Sequence, residues 1–141
     1  MVKMNIEYTG GLHCQLEHEP SRSQIETDAP KDNHGRGERF SPTDLVGAAL
    51  GSCILTTMAI VAERDGHSLA GARAEVVKEM AAKPIRRIGA LPVKITLPSS
   101  IPVEYRAKIE RVAHECPVHK SLHPDVSLPI TFVYSGQARL E

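Results

Sequence analysis

Tryptophan is absent from this chain, and aromatic residues make up only 4% of its 141 positions. So few flat side chains leave no stacking platform for single-stranded nucleic acid. Charge of either sign is not in excess. Lys plus Arg and Asp plus Glu stand at 17 each, so no overall field draws nucleic acid or an anionic membrane. Cysteine is scarce too: three in a chain of this size cannot build a disulfide scaffold. In a reducing compartment such thiols are structural, metal-ligating or redox-active. The opening "MVKMNIEYTGG" lacks the apolar stretch of an export signal, so a cytoplasmic location is expected. No repeat or composition break divides the sequence, and residues 1–141 are expected to form one domain.

What is present begins with alternation. Val2, Met4, Ile6 and Tyr8 are apolar and Lys3, Asn5, Glu7 and Thr9 polar, the period of a half-buried strand. Gly10-Gly11 supplies a hairpin turn, and Leu12, Cys14 and Leu16 continue as a second strand with His13 on the opposite face. A third strand is expected over 21–27. "DAPKDNHGRGER" (28–39) is polar and aperiodic, a long loop of the kind that often carries function. Two strands are expected over 70–80 and 85–97. A second helix opens at Pro102 with Tyr105, Ile109, Val112 and Cys116 on one face and ends at Pro117. A last strand runs through Val126 to Tyr134. The order βββ-α-ββ-α-β is an α+β pattern.

Between the loop and the second pair of strands lies "SPTDLVGAALGSCILTTMAIVAERDG". Ser41 is a strong N-cap, Pro42 suits the first helical position, and Asp44 resembles the acidic half of a capping box. Gly66 suits the far end. Leu45 to Ala62 carries no charge over 18 residues, about the lower limit for a membrane span. Yet the flanks lack interfacial aromatics and a basic cluster. A span here would also strand the flanking β segments on opposite sides of a membrane. The run therefore reads as a helix surrounded by protein, with no membrane partner. Its Gly47 and Gly51 allow close approach by a sheet or another helix.

Cys53 lies in the middle of this helix and Cys116 at the end of the second. Taken singly, each reads as a small buried hydrophobe, as does Cys14. His114, Cys116, His119 and His123 fall within ten residues, but Cys-Pro interrupts the cluster and no second ligand pair follows. No metal and no cofactor is expected.

Together, "FSPTDLVGAALGSC" and "HECPVHKSL" resemble the two cysteine motifs of the OsmC/Ohr family of thiol-dependent peroxidases, and the resemblance extends along essentially the whole chain. It implies an OsmC-like fold, an intertwined homodimer and a long buried central helix. It also implies that Cys53 attacks an organic hydroperoxide and becomes a sulfenic acid. Cys116 then resolves that acid as a disulfide, and an external thiol reductant reopens it. The family holds an arginine near the first cysteine by a glutamate ten residues earlier. That position is Thr43 here, and Leu12 follows the Gly-Gly turn where one branch carries arginine. The loop arginines Arg36 and Arg39 lie in the segment from which the other branch brings its arginine, with Arg39 favoured as nearer the helix. The alternative is a non-catalytic OsmC-like dimer that binds a small hydrophobic or thiol ligand.

Overall fold

The alternation at the start of the chain produces three antiparallel strands, β1 (Met4–Gly10), β2 (His13–His18) and β3 (Ser23–Asp28). In the computed structural model, which describes residues 1–135, these strands belong to a first compact unit, residues 1–46, and the remainder to a second. Ile6 pairs with Leu16 and Leu16 with Ile25, while Tyr8 pairs with Cys14 and Cys14 with Thr27. Directly paired residues share a face, so this register gathers the apolar side chains on one side. On that side Met4, Ile6, Tyr8 and Ile25 are 50–62% exposed. The other side carries His13 opposite Asp28, with Glu26 two residues along β3.

The loop after β3 is tight. Gly35 N–H donates to the Pro30 carbonyl at 2.9 Å and Gly37 N–H to that of Ala29 at 3.2 Å. A Cβ on Gly35 would stand 1.8 Å from the Ala29 oxygen, so only glycine fits. The long helix α1 (Pro42–Arg64) then starts where its capping sequence places it. Ser41 N–H donates to Asp44 Oδ2 at 2.9 Å and Asp44 N–H to Ser41 Oγ at 3.0 Å, a reciprocal capping box.

In the second unit, α1 buries one face: Gly47, Leu50, Gly51, Ile54, Met58 and Ala62. Each full burial of Leu50, Ile54 or Met58 stabilises the fold by about 1.5–3 kcal/mol. The glycines let the helix press onto the strand behind it. A Cβ on Gly51 would lie 3.0 Å from Val76 Cγ2 and 3.5 Å from Ala74 Cβ. The opposite face, with Ala49, Ser52, Thr56 and Ile60, is exposed in the single chain. By length and composition alone α1 could cross a membrane, but its inner face packs on protein.

Where two strands are expected, four shorter ones form: β4 (Arg73–Val76), β5 (Glu79–Ala81), β6 (Arg87–Ala90) and β7 (Val93–Pro98). Pro92, without an N–H, separates β6 from β7, and β5 pairs with β6 as a local antiparallel ribbon. The main sheet has the order β4-β7-β8, with β4 antiparallel and β8 (Ile130–Ser135) parallel to β7. A parallel pair needs a crossover. Here it contains α2 (Val103–Ala113) and a short α3 (Pro117–Ser121). The expected end of the second helix is corrected by this: Pro117 opens α3, and α2 stops at Ala113. Proline lacks the N–H that the first helical position leaves unused, so the same residue that terminates one helix suits the start of the next.

Candidate active site

The end of α2 and the start of α3 leave Cys116 as the N-cap of α3. Its Sγ accepts the His119 N–H at 3.3 Å, and the residue is completely buried. Cys53 projects from α1 and is partly exposed. The two thiols lie close enough for each to shift the ionisation of the other, so the structure brings the pair together. Thr57, one turn on, places its Oγ1 3.9 Å from the Cys53 sulfur, and the Val118 N–H points at the same atom.

These neighbours act on the two thiols in opposite directions. Burial pushes the Cys53 thiol up, but the Cys116 thiol, the Val118 N–H and the Thr57 hydroxyl together hold it below its usual 9.0. Burial, then the neighbouring Cys53 sulfur, pushes Cys116 above the same value. One sulfur is prepared to be the thiolate and the other to keep its proton, which suits a nucleophile beside a thiol that waits. Close by, the rings of His114 and His119 meet edge to face at 5.7 Å. Burial first, then the charges of His114 and Lys120, keeps His119 below the usual 6.5. His123 turns instead towards Asp125. Among the described residues no group of three or more candidate ligands is arranged to hold a metal ion.

Arg36 and Arg39 lie in the first unit, where both border a cavity of about 350 Å³. Arg36 passes over the Gly-Gly turn, its Nη2 3.7 Å from where a Cβ on Gly11 would be. Arg39 approaches Glu26 Oε2 at 3.8 Å. The residues that the sequence does not reveal are those that organise this cavity. His13 Nδ1 lies 2.6 Å from Asp28 Oδ1, and its Nε2 lies 2.8 Å from Glu26 Oε1. The only available signal is two acids spaced by two, Glu26 and Asp28, on a strand that pairs with a histidine. Reading Asp28 as the first loop residue hides it. Cys14 and Leu16 are only half-buried, and Leu12 is an exposed turn residue at φ 58°.

A long helix packed on a mixed sheet, with a cysteine on the helix beside another in the crossover, defines an α+β protein with a thiol pair at its site. The family described as OsmC-like protein matches residues 35–131. A crystal structure from Psychrobacter arcticus, named for an osmotic stress induced and detoxification response, is 39% identical with a TM-score of 0.87. That match covers 94% of this chain and 96% of that one. The Legionella pneumophila organic hydroperoxide resistance protein OsmC is 16% identical, with a TM-score of 0.73 over 94% of this chain and 96% of that one. An organic hydroperoxide resistance protein from Elizabethkingia anophelis is 15% identical, with a TM-score of 0.74 over 96% of each chain. These two show likeness of fold. A search of curated proteins finds no match. The chain belongs to the OsmC-like family.

Proposed function

We propose that the protein is a thiol-dependent peroxidase that reduces organic hydroperoxides. The observation that carries this is the thiol pair itself, a partly exposed Cys53 on α1 beside a wholly buried Cys116 at the N-cap of α3, with Cys53 drawn below its usual pKa and Cys116 pushed above it. The Cys53 thiolate attacks the distal oxygen of ROOH. The O–O bond breaks, ROH leaves with a proton, and Cys53 becomes a sulfenic acid. Cys116 sulfur then attacks the Cys53 sulfur, water leaves, and a disulfide forms. An external dithiol exchanges with it, returning two thiols and leaving as its own disulfide. Such reductants are at hand in a reducing cytoplasm. An arginine of the loop, Arg39 before Arg36, is assigned to the thiolate by family resemblance. Glu26 is the carboxylate beside Arg39 in this chain, whose position 43 is threonine.

The test is direct. Reduced protein treated with about one equivalent of an organic hydroperoxide is expected to give a Cys53–Cys116 disulfide by peptide mapping, since the Cα atoms of a bridge must lie within about 7 Å. Cys14 is expected to stay free, and peroxide consumption should continue when a dithiol is supplied. A bridge through Cys14, or none, would remove the two-cysteine mechanism.

The assembly proposed with this activity is a homodimer. Its support is apolar surface that a single chain leaves open: Met4, Ile6 and Tyr8 on β1 and Ile60 on α1 are each 60–62% exposed, to within a per cent. Patches of this kind mark protein contacts. Sedimentation at micromolar concentration is expected to show a dimer, and a stable folded monomer would count against it.

A further inference from the structure

The first unit holds a chain of charged groups, of which the proposed thiol chemistry uses Arg39 and Glu26 but neither His13 nor Asp28. Ionised carboxylates can only accept hydrogen bonds, and neutral imidazole has a single N–H. Both ring nitrogens of His13 nevertheless meet carboxylate oxygens, at 2.6 Å to Asp28 and 2.8 Å to Glu26. Two such bonds require the doubly protonated ring. The remaining oxygens of both carboxylates turn to the loop. Asp28 Oδ2 accepts the Glu38 N–H at 3.1 Å, and Glu26 Oε2 faces Arg39 Nη2 at 3.8 Å. The Asp28 N–H also donates to the Phe40 carbonyl at 3.2 Å. All four carboxylate oxygens are thus engaged, two inward on one imidazolium and two outward on residues 38 and 39.

We propose that Asp28, His13 and Glu26 form a proton-dependent latch on the loop segment carrying Arg39, with His13 as its positioning residue. The loop's earlier part is fixed by its own backbone bonds at Gly35 and Gly37. Residues 38–40, which lead into the α1 cap, are instead held from β3. Losing the ring's second proton leaves a nitrogen lone pair facing a carboxylate oxygen. The like charges of Glu26 and Asp28 then repel without a cation between them.

The groups around His13 set the direction. β3 presents Glu26 and Asp28, the loop presents Arg36, Glu38 and Arg39, and β1 presents Thr9 at the cavity, with Glu7 further along the same face opposite Gln15. With His13 charged, three cations and three carboxylates line the cavity. The Asp28 hydrogen bond first, then the one from Glu26, holds His13 above its usual 6.5 against the opposing effect of burial. Asp28, 4% exposed, is held below its usual 3.8 chiefly by His13. For a raised histidine, the contribution to holding the loop is complete below pH 6.5 and fades as pH rises through the higher bound-state value. For a depressed aspartate it fades only in acid. The latch is therefore closed at pH 6.5 and below, and opens as pH rises through the raised value of His13. Its bearing on Cys53 rests on the peroxidase reading, whereas the latch itself does not.

Nuclear magnetic resonance of the full chain tests it from about pH 5 to 9, spanning the range in which histidine changes charge. The His13 ring should titrate above 6.5, and the Glu38 amide and Arg39 Nε resonances should move with the same midpoint. Above that midpoint, exchange of the Glu38 amide should rise faster than hydroxide concentration does. In His13→Gln this step should vanish and the Glu38 amide should exchange rapidly throughout. A His13 midpoint at or below 6.5, or a Glu38 step that persists in the variant, overturns the latch. If the variant does not fold, the wild-type titration decides alone. Peroxide consumption is read on the same samples. A Glu38 step without peroxide reduction supports the latch and removes the reaction, and reduction without the step does the reverse.

Discussion

Cys53→Ser protein is expected to consume no organic hydroperoxide at all, while Cys116→Ser protein turns over once and stops. A serine hydroxyl is not ionised at neutral pH and cannot attack the O–O bond, so the first variant loses the initial step. In the second, the sulfenic acid forms but meets no thiol and should advance to sulfinic acid as peroxide is added. Mass spectrometry would read this as a gain of two oxygens on the peptide containing Cys53. Cys116→Ala separates a further effect. The Cys116 thiol is the strongest of the groups that favour the Cys53 thiolate. Its removal should move the pH profile of Cys53 alkylation upward, while serine, which retains a donor, should move it less. An unchanged profile in the alanine variant would mean that Cys116 does not act on Cys53. Cys14→Ser is the control and should react as the natural chain does.

Ile54→Ala is expected to lower stability by about 2–5 kcal/mol, the usual cost of emptying a buried aliphatic site. Ile54 is wholly inaccessible and adjoins Cys53 on the face of α1 that also buries Leu50 and Met58. The neighbouring glycines already bring that face to contact distance of β4, with Val76 Cγ2 only 3.0 Å from an added Cβ at Gly51. A helix so closely seated cannot collapse into the space left by three missing carbons, which places the cost above the transfer term alone. Val103→Ala makes the comparison, because Val103 is 73% exposed and should stay within about 0.5 kcal/mol. Urea unfolding, with the slope unchanged between variants, measures both. A loss at Ile54 no larger than that at Val103 would show that this face is not the core.

How much of this was legible in the sequence depends on how local each feature is. The start of α1 was, because the Ser41–Asp44 capping box is contained in four residues. Its two glycines announced a close approach for the same reason. The pairing of Cys53 with Cys116 could be reached only through the family resemblance, since 63 positions separate them and no periodicity links a helix to a crossover. The breaks around Val77 and Leu91 were missed because apolar character continues through them while hydrogen-bond pairing does not. The role of Pro117 was half read, since proline both stops and starts helices. The His13 relay was hidden for a different reason. It exists only when β2 and β3 take the register that sets His13 opposite Asp28, and a one-residue slip would turn the ring to the other face.

The parallel pairing of β7 with β8 has a consequence for biosynthesis. Cys116 lies within the connection between these strands, which is tied down at its far end by Ser127 and Pro129 against residues 89–93 and then by β8, the last strand described. Cys53 leaves the ribosome long before that strand does, and non-local parallel pairing is slow to form. A nascent chain therefore carries Cys53 before the Cys116 thiol and the Val118 N–H that favour its thiolate have been brought alongside. On the proposed mechanism, Cys53 is thus least reactive towards peroxide in the interval when nothing could resolve its sulfenic acid, and it gains reactivity and a resolving partner together.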